Sequence, residues 1–127
     1  AFFMVDDLHY LHKGGRIGMA QAFLGSLLAV KPILAMKNAQ GIISVEDKVR
    51  TKKKALERLV QLAASACSGE KKVTATVLDA DAKDTRQELQ TQLLAALPQA
   101  EIIPSEFGPV IGTHVGPGAV GVIYYTV

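Results

Sequence analysis

The chain has 127 residues, 49% apolar and 20% charged, with a formal net charge of +2 and one cysteine. That length gives a single domain with a proper hydrophobic core, and so small a net charge argues against a nucleic-acid or membrane-surface role. Cys67 alone excludes an internal disulfide, and no apolar run is long enough for a membrane helix, so a cytoplasmic protein without stable membrane insertion is expected.

Taken in chain order, Ala1 to Val5 (AFFMV) reads as a strand with Phe2 to Val5 buried. A chain that opens inside a core strand is expected to continue upstream. Asp6 can cap a helix over Asp7 to Lys13, which Gly14 and Gly15 end. A second helix is expected from about Gly18 to Leu28, apolar nearly all round and therefore deeply packed. Val30 to Met36 and Ile42 to Val49 read as strands joined by a turn at Asn38-Ala39-Gln40-Gly41. Thr51 then caps an amphipathic helix whose inner stripe is Leu56, Leu59, Val60, Leu62, Ala63 and Ala66. Cys67 at its end is most simply a small buried hydrophobe. A strand over Val73 to Leu78 precedes a helix over Asp81 to Leu97, with Leu89, Leu93, Leu94 and Leu97 inward and Pro98 ending it. Ile102 to Pro104 is a short strand, and Val120 to Val127 closes the chain as a β-branched and aromatic one.

This order is β-α-α-β-β-α-β-α-β-(α)-β. It predicts an α/β domain whose mixed β-sheet is covered by helices, with parallel neighbours where strand and helix alternate and one antiparallel hairpin.

Candidate chemistry concentrates in two glycine-rich runs. In Gly108 to Gly118 (GPVIGTHVGPG), four of eleven residues are glycine and two are proline. Pro109 suits the first turn of a short helix and Gly116 its left-handed end, so Pro109 to Val115 should present Thr113 and His114 near that end. The plainer alternative is a Gly/Pro connection into the last strand. In Lys13 to Gly18 (KGGRIG), Arg16 follows two glycines and could hold an anion, or could be a surface arginine after a helix cap. The spacing matches neither a Walker loop nor a dinucleotide fingerprint. The basic run Lys48 to Arg58, including Arg50, Lys52 and Lys53, is either a solvated face or a docking patch. It lacks the interleaved aromatics of a single-strand nucleic-acid platform. Asp79, Asp81 and Asp84 read as helix-terminus carboxylates, and His9 and His12 have no third ligand nearby, so no metal or cofactor is expected. Glycine-flanked Arg and His groups beside an apolar interior suit holding an anionic headgroup with an apolar body better than bond making.

Three segments in this order and spacing, HKGGRIGMAQAFLGSLLAVKPIL, EDKVRTKKKALERL and GPVIGTHVGPGAVGVIYY, resemble the C-terminal half of the DegV family of bacterial fatty-acid-binding proteins. The resemblance spans essentially the whole chain. It implies the C-terminal lobe of a two-lobed fold, with the N-terminal lobe absent. A long-chain fatty acid would lie between the lobes, its carboxylate near Arg16, His114 and Thr113, its tail along Phe23 and Leu27. The lobe would be a non-enzymatic carrier presenting that carboxylate to a separate fatty acid kinase, docked through Arg50, Lys52 and Lys53. An apolar cleft left open by the second lobe could instead drive homodimerisation. Two alternatives remain: an enzyme subunit using Arg16 and His114 in phosphoryl or acyl transfer, and a nucleic-acid or protein interaction domain using Lys48 to Arg58.

Overall fold

The structure, a computed structural model, describes residues 1–24, 30–37 and 40–127. Six strands among these residues form one sheet: β1 Phe2–Met4, β2 Lys31–Met36, β3 Ile43–Val49, β4 Val73–Asp79, β5 Glu101–Glu106 and β6 Val120–Thr126. Their order across the sheet is β3-β2-β1-β6-β4-β5. Among the described residues four α-helices accompany them, α1 His9–Lys13, α2 Lys52–Ala66, α3 Lys83–Ala96 and α4 Pro109–Val115, and a 3-10 helix covers Gly18–Phe23. The mixed α/β architecture expected from the sequence is borne out.

The alternation of side chains along each strand divides the core in two. On one face Phe2, Met4, Ile33, Ala35, Val77 and Val122 pack beneath the inner stripes of α2 and α3, including Leu59, Ala63, Leu89 and Leu93. On the other face Phe3, Val5, Leu34 and Ile43 pack with Leu8 and Leu11 of the α1 region, Ile17, Ala20, and Val115 of α4. The second cluster is smaller because these helical segments are short. The far end of that face stays partly uncovered. Ile103, Ile123 and Tyr125 lie there at 45%, 48% and 61% exposure, values that leave about half of each side chain open to water.

Several expectations need correction. Parallel neighbours occur once among the paired strands, between β4 and β5; β4 pairs antiparallel with β6 on its other side. The α2 crossover does carry the chain from β3 to β4, but β2, β1 and β6 lie between them. Sequence periodicity fixes neither strand order nor adjacency, because long crossovers skip neighbours at little entropic cost. The helix expected over Gly18 to Leu28 is a six-residue 3-10 helix, with Gly18 at φ +55° and its α-carbon against the Ile43 carbonyl. Only Ala20 in it is buried, while Met19 is exposed; its expected remainder lies mostly in residues 25–29, outside the described residues. Leu94 and Ala66 face solvent rather than the core.

Candidate functional site

Residues 14–16 and 114–118 lie about a hundred positions apart, and α1 and α4 bring them together through glycine contacts. The Gly116 α-carbon faces the Tyr10 ring, and the Gly118 α-carbon faces the Asp6 carboxylate. The His114 imidazole lies on the α-carbon of Gly14, its Nδ1 and Cε1 closest. Gly116 ends α4 at φ +78°, as expected of a helix followed by a left-handed glycine. Gly15, at φ +69°, lets the chain leave α1 and donate its N–H to the His12 carbonyl at 3.1 Å.

These contacts place Arg16 and His114 on the wall of one cavity of about 360 Å³. The rest of its lining is almost wholly apolar, drawn from Phe3, Leu78, Phe107, Val110, Ile111 and Ile123 among others. Arg16 donates to the Gly14 carbonyl at 3.3 Å and has no carboxylate partner among the described residues. Its charge is therefore uncompensated locally. The Nδ1 of His114 is buried and has no hydrogen-bond partner among the described residues. One unpaired guanidinium and one imidazole at the rim of an apolar cavity can receive an anionic headgroup whose body is hydrocarbon.

Other expected site residues fall elsewhere. Thr113 is exposed and outside that lining; its hydroxyl donates to the Pro109 carbonyl at 2.6 Å, within α4. Phe23 is half-buried against the second core cluster, under the Lys48 Nζ at 5.8 Å from the ring centroid. Leu27 lies outside the described residues. The walls that sequence reasoning did not name, Val110, Ile111 and Ile123, carried a signal. Two apolar residues lie in the first turn of the short helix whose last turn carries His114, and β6 keeps apolar side chains on both faces.

Arg50, Lys52 and Lys53 are exposed at the start of α2, and Thr51 Oγ1 accepts the Lys54 N–H at 3.1 Å. Arg58 is not a free member of the basic run, since its Nε donates to Asp47 Oδ2 at 2.6 Å. Lys52 borders a broader depression of about 760 Å³ lined by Asp6, Asp79, Asp81, Asp84 and Glu106. Asp79 there accepts the Ala82 N–H at 2.9 Å and pairs with Arg86 Nε at 2.8 Å, a charge contact without hydrogen-bond alignment. Asp84 sits in the first turn of α3. Asp79 and Asp84 serve the start of α3, and the shared negative sign of the five carboxylates makes the depression a poor receptor for an anion. No cluster of three metal-ligating side chains occurs among the described residues, and none of the helices so described is long and apolar enough to cross a membrane.

A family model described as an uncharacterised protein of the DegV family matches residues 1–127. Protein DegV of Bacillus subtilis is 44% identical over 124 residues, covering 98% of this chain and 43% of that protein. A DegV domain-containing protein of Halalkalibacterium halodurans is 42% identical over 125 residues, again 98% of this chain and 44% of the relative. The chain thus spans less than half the length of these relatives. Among solved structures, a DegV family protein of Thermus thermophilus, described by its fatty acid binding, superposes with a TM-score of 0.91 at 36% identity. That alignment covers 99% of this chain and 45% of the other. Bacillus subtilis DegV, described as a fatty acid binding protein, superposes with a TM-score of 0.81 at 42% identity, over 99% and 44% of the two chains. With a family match running its whole length, this chain belongs to the DegV family.

Proposed function

We propose that this chain is the C-terminal lobe of a long-chain fatty-acid-binding carrier, in which Arg16 and His114 receive the ligand carboxylate and the apolar cavity beside them receives part of the tail. The observation that carries the reading is the shared wall: the one guanidinium and the one imidazole expected to grip an anion line a single apolar cavity. The fatty-acid-binding descriptions of the Thermus thermophilus and Bacillus subtilis relatives support the ligand class. Each methylene buried contributes about 0.8 kcal/mol, so the tail supplies affinity and the two polar groups supply orientation. The half-exposed apolar side chains Ile103, Ile123 and Tyr125 are where a second, N-terminal lobe would close over the ligand.

In this reading the lobe is not itself an enzyme. It holds the carboxylate for a separate cytoplasmic fatty acid kinase, with Arg50, Lys52 and Lys53 as the docking charges. Thr113 enters the carboxylate shell only if its hydroxyl leaves the Pro109 carbonyl. Arg16→Ala and His114→Ala, each in the full-length protein, should weaken oleate binding about tenfold or more, the loss expected of one charge-assisted hydrogen bond. Isothermal titration with oleate reads this directly. Unchanged affinity in both variants would remove the headgroup role.

A further inference from the structure

We propose that Gly14 is a positioning residue for His114, resting on the fatty-acid reading of this cavity: the missing β-carbon admits the imidazole against the end of α1 and fixes it as the Nε2–H tautomer, a donor toward a carboxylate. The adjacent glycines have different reasons to be glycine. Gly15 has the positive φ that other residues avoid, and a β-carbon there would meet nothing within 4 Å. Gly14 has φ −80° and ψ −3°, which any residue adopts, and its N–H bond to the Tyr10 carbonyl is open to any residue but proline. What excludes a side chain at 14 is space. A β-carbon there would lie 2.8 Å from Cε1 of His114 and closer still to Nδ1.

The ring can yield only by turning away from the end of α1, because the Gly116 contact with the Tyr10 ring holds the last turn of α4 on α1, and turning moves the imidazole from its place in the cavity wall. Burial of Nδ1 without a partner then decides the tautomer. An orphaned buried N–H is rarer in native proteins than an unshared lone pair, so in the neutral ring Nδ1 keeps the lone pair and Nε2 carries the proton. An Nε2–H on a ring that shares the cavity wall with Arg16 is a donor to a carboxylate held there.

Histidine ring ¹H–¹⁵N spectra of the full-length protein, with His114 assigned through His114→Ala, should display the Nε2–H pattern for His114. Gly14→Ala should abolish that pattern and weaken oleate binding about 10- to 100-fold, the range of one lost hydrogen bond to a charged group. Gly15→Ala, strained but away from the ring, should leave the pattern intact. In a His114→Ala background Gly14→Ala should change oleate affinity less than about twofold, because coupled residues are non-additive. Additive losses, or an Nδ1–H pattern in the parent protein, would overturn the proposal. Should Gly14→Ala not fold, the double variant decides: thermal stability restored to that of His114→Ala supports the contact, and no restoration refutes it. A parent protein that binds no oleate would sink the fatty-acid reading alone, since the spectra and the melting comparison still judge the contact.

Discussion

At the scale of single residues, partners decide what each polar group can do. Thr113 and Arg16 both looked like ligand groups from their glycine-rich settings, yet the Thr113 hydroxyl is engaged within α4 and Arg16 is not paired with a carboxylate among the described residues. Arg58, drawn from sequence into a basic run, is committed to Asp47. The Lys48 backbone N–H first, and the Arg58 side chain second, hold the Asp47 carboxyl below its ordinary value. A carboxyl lowered in the folded state contributes stability above its unfolded value, about 3.9, and loses it as pH falls through the folded one. Asp47→Asn should therefore cost up to about 1 kcal/mol at pH 7, discounted for solvent exposure, with the deficit shrinking below about pH 4. Thermal melts at pH 7 and pH 3 check this, and a deficit that does not change with pH would contradict it.

At the scale of elements, helices with a clear cap and stripe were legible, and those held by tertiary contacts were not. Thr51 was readable as a cap because a hydroxyl just before a helix has a defined partner, here the Lys54 N–H. Three lysines in that first turn oppose the helix dipole, which makes the cap more important to α2. Thr51→Ala should lower stability by about 1 kcal/mol and Thr51→Ser should recover most of it, as read by denaturant midpoints. α4 was legible over Pro109–Val115 because proline and glycine mark its two ends. The 3-10 helix was not. Its apolar composition imitates a buried α-helix, while Gly18 must pass against the Ile43 carbonyl, a contact from another element that no local pattern encodes.

At the scale of the molecule, the sheet has one face roofed by the long helices α2 and α3 and another roofed only by shorter helical segments. Arg16, His114 and the apolar cavity belong to the partly roofed face, with Ile123 in the cavity wall. Lys52, exposed at the start of α2, borders a depression with acidic walls, so its field reaches a partner weakened by neighbouring carboxylates. A docking role for Lys52 and Lys53 then rests on close contact rather than long-range attraction. Reversing both charges with Lys52→Glu and Lys53→Glu should slow kinase-dependent acyl-phosphate formation about tenfold at low salt while leaving oleate affinity unchanged. Parallel loss of oleate binding would contradict docking as the cause.

Sequence by itself determined the α/β class, the helix ends at Thr51, Pro109 and Gly116, and the two glycine-rich runs where an Arg and a His stand out. It could do so because caps, turns and side-chain periodicity are local consequences of backbone sterics and hydrogen bonding. Only the tertiary structure decided that those runs meet, that the His114 ring fills the space beside Gly14, and that three strands lie between β3 and β4. These are long-range facts: each depends on what another part of the chain occupies, and excluded volume between distant segments leaves no trace in the spacing of either one.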